Sequence, residues 1–536
     1  MKLQAAMSDQ PISESPQQTI EQLSEQWDLV VIGGGITGMG VAREAARQGL
    51  RVLVLEQKDF AWGTSSRSSK MVHGGLRYLA SGNLRLTSHS VKERERLMNE
   101  APGLVDLMAY SWPHYKKQFP GPFIFNALLA LYDMFAGKKY RKFLSPEETS
   151  YVLPHIRRDA LIGSTQFADA VTDDTRLVMR VMDEAKADGA VCLNYTRVID
   201  VIKQDELVKG VQCVDECSGK TYSFFAKAVV SATGAWADQL RRNQGAKKKI
   251  RPQRGSHLVI PHWRFPVAQA ITLKHPEDDR SMFIYPWEGT TVIGTTDLDH
   301  PEADLKEPHI HEFEIHYLLK AANALFPGSR LEKEDVIATW AGVRPIVSSG
   351  KSLNPSSEKR DHSIWDDNGL VSVSGGKLTT FRLIALDVLK MLKKYVPDIQ
   401  YKDTGARIFT NLEQEPEELE QLDGFWKKRL VGFYGCHIDR FFDCAKPGEL
   451  AVIPGTQSLW AQLRYSCRYE SVVHLDDLLL RRTRIGLLLA NGGGDFKDQI
   501  KMICQSELPW NEEQWQQEWQ RYQDIWHAYY SVTPEK

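Results

Sequence analysis

Three closely spaced glycines follow a short apolar run near the start of the chain. The segment reads Val30-Val-Ile-Gly33-Gly34-Gly35-Ile36-Thr37-Gly38 and contains the spacing GxGxxG. Glycines at these positions allow a tight turn and a close approach of the backbone to a pyrophosphate, and the start of the following helix offers free N–H groups to that anion. Glu56 ends the next apolar run, where a carboxylate would accept hydrogen bonds from ribose hydroxyls. The pattern predicts a dinucleotide site rather than a glycine-rich turn that only packs a helix on a sheet.

Two later turns favour FAD over NAD as the dinucleotide. Ala232-Thr233-Gly234 ends an apolar strand, and Gly375-Gly376 ends another. In flavoproteins of this general build later returns of the chain lie along the FAD, whereas a plain NAD domain completes its cofactor site sooner. The redox chemistry would then come from the flavin, and the protein would orient and polarise the substrate.

The elements that must position these turns alternate between strand and helix. Residues 28–32 predict a buried parallel strand, the stretch to Gln48 a helix, and residues 51–55 a second strand, which together make a β-α-β unit. The other expected elements are helices over 85–110 and 173–189, strands over 190–202 and 226–232, and strand-like sequence over 255–297. Residues 402–420 are polar and acidic, which is typical of a linker, and helical patterns follow them.

The composition is that of an ordinary globular protein. The 536 residues suffice for two or three domains, and the net charge of −2 gives no reason to expect nucleic acid as a partner. The seven cysteines are odd in number and form no CxxC pair, so we predict neither a disulfide framework nor a metal site, and expect reduced thiols in the cytoplasm. Residues 1–26 are polar and lack the pattern of a signal peptide, and we expect a disordered tail there.

Several blocks together resemble one family. Thr64-Ser-Ser-Arg-Ser-Ser-Lys70 and His73-Gly-Gly-Leu-Arg-Tyr-Leu79 resemble the block after the first β-α-β unit of FAD-dependent, quinone-linked glycerol-3-phosphate dehydrogenases. The stretches that resemble the same family in the same order are Val171-Thr-Asp-Asp-Thr-Arg-Leu177, Arg254-Gly-Ser-His257, Ile293-Gly-Thr-Thr-Asp297, Gly342-Val-Arg-Pro345 and Gly375-Gly-Lys-Leu-Thr-Thr380. Tyr469-Glu470 and residues 476–483 resemble its helical C-terminal domain.

The resemblance implies an α/β (α+β) fold with an FAD-binding Rossmann-like domain, a mostly β substrate or cap domain, and a helical C-terminal domain. We expect the first two domains to be interleaved over residues 27–400, with a linker at 401–420 and the C-terminal domain at 421–536. The residues expected to contact FAD are Gly33, Gly34, Gly35, Ile36, Thr37, Gly38, Glu56, Gln57, Thr64, Ser65, Ser69, Lys70, His73, Gly74, Gly75, Val198, Ala232, Thr233, Gly234, Gly376, Lys377, Leu378 and Thr379.

The resemblance implies oxidation of glycerol 3-phosphate to dihydroxyacetone phosphate. This reaction needs cationic residues that bind the phosphate and a group that takes the hydroxyl proton. Arg77 and Tyr78 are expected to bind the substrate phosphate, and Lys377 to reach the phosphate or the flavin ring. Arg344 is assigned to the substrate oxygens beside the flavin, because Pro345 stiffens its backbone. His257 follows a Gly-Ser turn at the start of a strand and is the candidate for the hydroxyl proton, against the alternative of a hydrogen-bonded structural histidine.

Two groups of charged residues have a structural explanation. Asp173 and Asp174 are interpreted as caps of the helix that starts near Thr175, rather than as a catalytic carboxylate pair. The arginines at 481, 482 and 484 are interpreted as a helix surface or a domain contact.

The sequence departs from the family pattern in places. Arg67 is bulky where a small residue is expected, which leaves the fine substrate preference open, and residues 420–460 match weakly, which leaves the oligomeric state open, a homodimer included. The chain also lacks the long insertion expected of members that use oxygen, which favours a membrane quinone as acceptor.

Two other functions remain as alternatives. One is a related flavin oxidase or dehydrogenase that acts on an amino acid or a 2-hydroxy acid, since those carboxylates also require arginine. The other is a non-catalytic flavoprotein scaffold, which would not need the set of Arg, Lys and His residues that is intact here.

Residues 115–143 predict a peripheral membrane contact. An apolar segment begins at Pro122 and stops at Gly137, is interrupted by Asp133, and is flanked by lysines and arginines. It is too short to span a bilayer, but it suits a helix that lies at an anionic lipid surface. We therefore expect a cytoplasmic protein bound to the inner face of the cell membrane, against the alternative of a core helix with basic ends.

Overall fold

The computed structural model describes residues 20–80, 82–301, 307–348 and 361–532, apart from the side chains of Arg77 and Ala80. Of the predicted tail, residues 1–19 lie outside this range; Ile20 is buried, and the first strand begins at Gln26. The strands are β1 (Gln26–Ile32), β2 (Val52–Leu55), β3 (Met71–Val72), β4 (Val105–Tyr115), β5 (Lys142–Leu144), β6 (Leu161–Thr172), β7 (Val191–Leu193), β8 (Thr196–Gln204), β9 (Leu207–Asp215), β10 (Thr221–Ser231), β11 (Ile250–Pro261), β12 (Ala270–Lys274), β13 (Ser281–Trp287), β14 (Thr290–Gly294), β15 (Leu298–Asp299), β16 (Ala338–Val347), β17 (His362–Asp367) and β18 (Leu370–Gly375).

The α-helices lie between and after these strands. They are α1 (Ile36–Ala46), α2 (Leu76–Ala80), α3 (Leu84–Glu100), α4 (Pro122–Ala136), α5 (Pro146–Val152), α6 (Asp174–Ala187), α7 (Ala237–Asn243), α8 (Glu312–Leu325), α9 (Phe381–Leu392), α10 (Gly424–Tyr434), α11 (Ile438–Cys444), α12 (Trp460–Tyr469), α13 (Ile485–Leu488), α14 (Lys497–Glu507) and α15 (Glu512–Tyr529).

The first sheet carries the glycine-rich turn. Its strand order is β17-β18-β10-β1-β2-β7, with β9 on β10 and β8 on β9, and the strands from β18 to β7 run parallel. Side chains of β1 alternate between the two faces, so Leu29 and Val31 join the core formed with α1, α6 and α9, while Val30 and Ile32 join the core on the opposite face. Burial on both faces explains why this strand is apolar throughout.

The second sheet is mostly antiparallel and forms the cap domain. Its order is β15-β11-β14-β13-β12-β4-β6-β3, with β16 on β11 and β5 on β6. Helix α8 packs against it in a core that contains Ile260, Ile284 and Leu318. The C-terminal helices bury Trp515 and Trp526 in a third core, which also contains Trp340 of β16. The predicted fold class, with its Rossmann-like, β-rich and helical parts, is confirmed.

The prediction of one helix over residues 85–110 is wrong. Helix α3 ends at Glu100, and β4 begins at Val105. Pro102 and Gly103 separate them, and Gly103 has a φ of +90° and lies so close to Lys428 that a Cβ would be 2.0 Å from its carbonyl oxygen. The expected strand over 190–202 is likewise two strands, β7 and β8.

Candidate active site

The turn between β1 and α1 opens into a cavity of about 370 Å³. Gly33 has a φ of +110°, and a Cβ there would lie 2.6 Å from the carbonyl oxygen of Ala232. A Cβ at Gly38 would lie 1.9 Å from the carbonyl oxygen of Gly33, so glycine is required for the helix to pack against the turn. Gly35 lines the cavity directly before the first turn of α1, where unpaired N–H groups favour an anion.

Glu56 at the end of β2 lies on the wall of the same cavity. Its carboxylate accepts hydrogen bonds from the backbone N–H groups of Gly34, at 2.7 Å, and Lys58, at 2.9 Å. Desolvation raises the pKa of this carboxyl above its ordinary value, and the two backbone donors oppose that shift. The end of the second strand thus places a carboxylate beside the glycine-rich turn, where it can accept hydrogen bonds from ribose hydroxyls.

Later parts of the chain complete this cavity, and the donor set fits FAD. The expected FAD-contact residues that line it are Gly33, Gly35, Ile36, Thr37, Glu56, Gln57, Thr64, Ser65, Val198, Ala232, Thr233, Gly234, Gly376, Lys377 and Leu378. They combine a narrow glycine cradle at a helix start with an acidic residue and the ends of two more strands, β10 and β18. A bound FAD would supply a two-electron acceptor.

A second cavity of about 1210 Å³ adjoins the first under the cap sheet. Thr64, Ser68, Pro345 and the segment from Gly375 to Leu378 line both cavities. The predicted site residues that line the second cavity are Thr64, Ser69, His73, Gly75, Tyr78, His257, Arg344, Gly376, Lys377, Leu378 and Thr379. The structure therefore brings Tyr78, Arg344 and Lys377, of the predicted substrate residues, to one cavity that adjoins the predicted cofactor cavity.

Arg344 is fixed at the wall of the second cavity by the carboxylate of Asp297. Its Nη1 lies 3.0 Å from Asp297 Oδ1, and its Nη2 donates to Thr295 Oγ1 at 3.2 Å. Arg280 also approaches Asp297, with Nη2 3.5 Å from Oδ2. Two guanidinium groups thus face the same cavity, where they favour an anionic substrate.

Lys377 and Tyr78 form a second cationic corner. The Lys377 ammonium lies 3.7 Å from the centroid of the Tyr78 ring and donates to Ser90 Oγ at 3.0 Å. A Cβ at Gly75 would come within 2.5 Å of the same ammonium, so a glycine leaves it room. Arg77 belongs to α2, but its side chain lies outside the described residues, and its role in phosphate binding stays a prediction.

His257 lies on β11 at the inner end of the second cavity. Its Nε2 is 2.8 Å from Ser69 Oγ, and its ring stacks on Trp340 with the centroids 4.7 Å apart. Desolvation, with further contributions from the charges of Arg344 and Lys70, lowers the pKa of His257 well below its ordinary value. The imidazole is therefore neutral at physiological pH and able to accept a proton.

His73 joins the loop after β3 to the start of α9. Its backbone N–H donates to Thr379 Oγ1 at 3.1 Å, and Thr379 Oγ1 donates back to the His73 carbonyl at 3.2 Å. Both residues line the second cavity, and the place of His73 beside the cofactor stays a prediction.

Four residues expected to contact FAD line neither cavity. Lys70 is fully buried and donates to both oxygens of Asp174, at 2.8 and 3.0 Å, while burial lowers its pKa to about 8. Gly34 donates to Glu56, and Gly38 makes room for helix packing. At Gly74 a Cβ would lie 2.3 Å from the hydroxyl of Tyr132. The side chain of Lys70 and these glycines lie behind the residues that line the two cavities, and their direct contact with FAD stays a prediction.

The charged residues that were predicted to have structural roles form a helix cap and a domain contact. Asp173 caps α6 by accepting from the N–H of Arg176 at 2.9 Å. Arg481 and Arg482 both donate to Asp59, and Arg482 does so at 2.7 Å with each nitrogen. They are buried contacts between the C-terminal helices and the Rossmann-like part, and not a helix surface.

Several residues at the site carried no role in the sequence analysis. The most informative are Arg280, Asp297, Thr295, Trp62, Trp236 and Gln239. Asp297 ends a stretch that resembles the family, so its motif gave a signal. Arg280 comes to the cavity only through the pairing of β13 with β14, which no local pattern shows.

Comparison with known proteins agrees with the geometry. A family model described as FAD dependent oxidoreductase matches residues 28–391, and one described as the C-terminal domain of alpha-glycerophosphate oxidase matches residues 401–515. The chain is 34% identical over 505 residues to an aerobic glycerol-3-phosphate dehydrogenase of Staphylococcus haemolyticus, covering 89% of this chain and 90% of the relative. A namesake from Staphylococcus epidermidis is 32% identical over 517 residues, covering 91% and 92% of the two chains.

Solved structures show the same likeness. The glycerol-3-phosphate dehydrogenase from Bacillus halodurans complexed with FAD has a TM-score of 0.77 and 29% identity, covering 96% of this chain and 97% of that one. Glycine oxidase from Geobacillus kaustophilus, at 21% identity and a TM-score of 0.51, covers 69% of this chain and 95% of its own, and shows the shared fold alone. The chain belongs to the family of FAD dependent oxidoreductases, among the members that carry the C-terminal domain of alpha-glycerophosphate oxidase.

Proposed function

We propose that the protein oxidises sn-glycerol 3-phosphate to dihydroxyacetone phosphate with bound FAD. The observation that carries this proposal is a cavity that joins the FAD cradle and combines Arg344, Arg280 and Lys377 with a neutral histidine. A substrate with a phosphate and a secondary alcohol matches both features. Two relatives that match nearly the whole chain are named as glycerol-3-phosphate dehydrogenases, which supports the same substrate.

Each residue has a stated part in this reaction. Lys377 and Tyr78, with Arg77 expected beside them, bind the phosphate, and Arg344 donates to the substrate oxygens nearest the cofactor. His257 accepts the hydroxyl proton as the carbon loses its hydride. Ser69 holds the imidazole by a contact of 2.8 Å to Nε2. Glycerol has no phosphate and would leave the cationic groups of the cavity without an anionic partner. We therefore expect glycerol to react poorly.

Steady-state turnover with a soluble dye as acceptor tests the substrate. Glycerol 3-phosphate is expected to give the highest kcat/KM, with glycerol, amino acids and 2-hydroxy acids far lower. Faster turnover of an amino acid or a 2-hydroxy acid would establish the related-oxidase alternative instead. Absence of turnover with all of them, in protein that carries FAD, would favour the scaffold alternative.

The acceptor that we propose is a membrane quinone. One side of the second cavity is lined by apolar groups, which are Trp112, Phe119, Ile124, Phe125, Leu128, Phe167 and Phe283. Three of these residues lie on α4, whose outer face is exposed. An apolar part of the cavity lining on a helix with an exposed apolar face suits an acceptor that stays in the bilayer.

The outer face of α4 supports a peripheral membrane contact. Phe123 is 88% exposed and Met134 65% exposed, whereas Phe125 and Leu129 point into the core. Helix α4 begins at Pro122 and ends at Gly137 with a left-handed φ of +67°, as the sequence predicts. Asp133 does not face lipid: it accepts from Arg141 Nη1 at 2.6 Å and from the Tyr140 N–H at 3.1 Å.

Only part of the apolar segment predicted to lie at the membrane is exposed. Leu129 is fully buried, and Leu128 and Phe135 pack against the core, so these three residues do not form the outer surface. One side of the helix belongs to the core, and the exposed other side is what supports a membrane contact. In the part of the chain that the structure describes, no helix is long and apolar enough to cross a membrane. Location at the inner face of the cell membrane and assembly as a homodimer stay predictions.

A further inference from the structure

We infer that Arg484, in the C-terminal domain, is a positioning residue for the loop from Ser66 to Lys70 and, through that loop, for His257. The inference rests on the proposed role of His257 as the group that takes the hydroxyl proton. Arg484 lines neither the FAD cavity nor the second cavity. The inference would therefore give the C-terminal helices an indirect part in the chemistry.

Arg484 is almost fully buried between α13 and the Rossmann-like part of the molecule. Its Nε donates to Asp173 Oδ2 at 2.9 Å, and its Nη2 donates to Asp173 Oδ1 at 3.0 Å and to Asp174. Its Nη1 donates to the carbonyl oxygen of Ser66 at 3.3 Å. The planar guanidinium is thus shared between two carboxylates and the first residue of the loop, a geometry that an ammonium cannot reproduce.

Asp174 carries the contact onward to the loop. Its Oδ2 accepts from the Ser68 N–H at 3.0 Å and from Ser68 Oγ at 2.7 Å. Lys70 donates to the same carboxylate and, at 2.5 Å, to the Ser66 carbonyl oxygen. The loop is therefore held at both ends by the pair of Arg484 and Asp174; Ser66 and Lys70 are buried, whereas Ser68 and Ser69 are half-buried at the cavity wall.

The loop fixes His257 from two directions. Ser69 Oγ lies 2.8 Å from Nε2 of the imidazole. Trp340 Nε1 donates to the Ser68 carbonyl at 3.2 Å, and the Trp340 ring stacks on His257 with an angle of 17° between the planes. The contact with Ser69 fixes the direction in which Nε2 points, and the stacking on Trp340 fixes the plane of the ring.

The orientation matters because only one ring nitrogen of a neutral histidine accepts a proton. In the described part of the chain His257 Nδ1 has no protein partner, while Nε2 faces Ser69. A shift of the loop would change which nitrogen meets the substrate hydroxyl and how well it is aimed. Binding of the phosphate by Lys377 and Tyr78 would be unaffected, so the effect should fall on kcat and not on KM.

The test compares Arg484→Lys with Arg464→Lys in the full-length, FAD-loaded protein. Arg464 is a matched control, because it is equally buried in the C-terminal domain and binds two carboxylates, Glu449 and Glu507, that belong to the same domain. We expect both variants to lower the Tm. Arg484→Lys alone should lower kcat, by a factor on the order of 10 to 100, with KM for glycerol 3-phosphate near the wild-type value.

A second measurement does not depend on turnover. Nitrogen NMR of histidine-labelled protein, with the His257 signals assigned by their loss in His257→Gln, reports the tautomer and the hydrogen bond of the imidazole. The signals should move in Arg484→Lys and stay in place in Arg464→Lys. If the wild-type protein does not oxidise glycerol 3-phosphate, the proposed function fails, and these signals alone decide the positioning role.

Ser68→Ala covers the case in which Arg484→Lys does not fold, because it removes one hydroxyl and leaves no buried charge unpaired. It should lower kcat and shift the His257 signals in the same direction. Wild-type kcat and unchanged His257 signals in a folded Arg484→Lys, or in Ser68→Ala where the first variant does not fold, would overturn the inference.

Discussion

The Arg344 guanidinium donates to the Asp297 carboxylate across 3.0 Å at the wall of the substrate cavity. The side chain of Asp297 is only 2% exposed, and Arg280 approaches its second oxygen. The carboxylate therefore holds two arginines in fixed positions before any substrate enters, so that little ordering is required when an anion binds.

Arg344→Ala is expected to lose about 2–5 kcal/mol of transition-state stabilisation, the usual effect of removing one partner of a buried charged contact. The measurement is kcat/KM with glycerol 3-phosphate. Arg264→Ala is the control, because Arg264 also pairs with an aspartate of the cap domain but lies away from both cavities. Equal efficiencies for the two variants would remove Arg344 from the active site.

Gly35→Glu is expected to fold without binding FAD. The φ of Gly35 is −86°, which any residue adopts, and a Cβ there would meet only Ser65 Oγ, at 3.1 Å. The added carboxylate would occupy the cradle and repel the pyrophosphate. The ratio of flavin to protein absorbance measures the loss.

Gly328→Glu provides the comparison for that variant, since Gly328 is exposed and a Cβ there meets no atom within 4 Å. It should retain wild-type FAD content. Full FAD content in Gly35→Glu would show that the cofactor cradle is misplaced.

The activity of the enzyme should not fall at the pH where an ordinary histidine becomes protonated. Because burial holds the pKa of His257 well below 6.5, the imidazole remains neutral, and active as a proton acceptor, as the pH falls through 6.5. Activity that depends on His257 should be lost only at more acidic pH. The measurement is kcat of the wild-type protein against pH at saturating glycerol 3-phosphate, because kcat/KM also reports the second ionisation of the substrate phosphate, at a pKa of about 6. An inflection of kcat near 6.5 would contradict the structure.

His257→Gln tests the same group directly. We expect kcat to fall by a factor of about 10² to 10⁴, the range for loss of a general base. His262→Gln replaces an exposed histidine that follows the same strand, and should behave as wild type. If both variants keep wild-type kcat, another group takes the proton.

The sequence predicted the cofactor cradle well because its determinants are local. Gly33, Gly35 and Glu56 act through a turn and two strand ends that lie within one β-α-β unit, and the backbone geometry alone explains why these residue types are needed. The end of α3 was missed although Pro102 and Gly103 mark it locally. The sequence alone does not show that Lys428, far along the chain, packs so close to Gly103 that a Cβ has no room there.

The charged network behind the site was beyond sequence reasoning. Lys70 stands in a motif beside the cofactor, but its ammonium turns away to Asp174, which a C-terminal arginine also binds. A motif gives the position of a residue in the chain, and not the direction of its side chain. The same limit applies to α4, where apolar residues on both faces hid which of them reach the surface.

Phe123→Ser with Met134→Ser should weaken binding to anionic liposomes without loss of dye-linked activity. Neither side chain lines the cavity, and each apolar group withdrawn from lipid removes about 1–3 kcal/mol at most. Sedimentation with liposomes measures the effect. Trp263→Ser, at a side chain 82% exposed on the cap domain, is the control. Unchanged liposome binding in the double variant would show that α4 is not the anchor.

Anaerobic titration of the FAD-loaded protein with glycerol 3-phosphate tests the central claim most directly, because it requires neither a quinone nor a membrane. The visible absorbance of the oxidised flavin should bleach as dihydroxyacetone phosphate forms in equal amount, and glycerol at the same concentration should leave the spectrum unchanged. A flavin that stays oxidised with glycerol 3-phosphate, or that is bleached faster by an amino acid or a 2-hydroxy acid, would contradict the account.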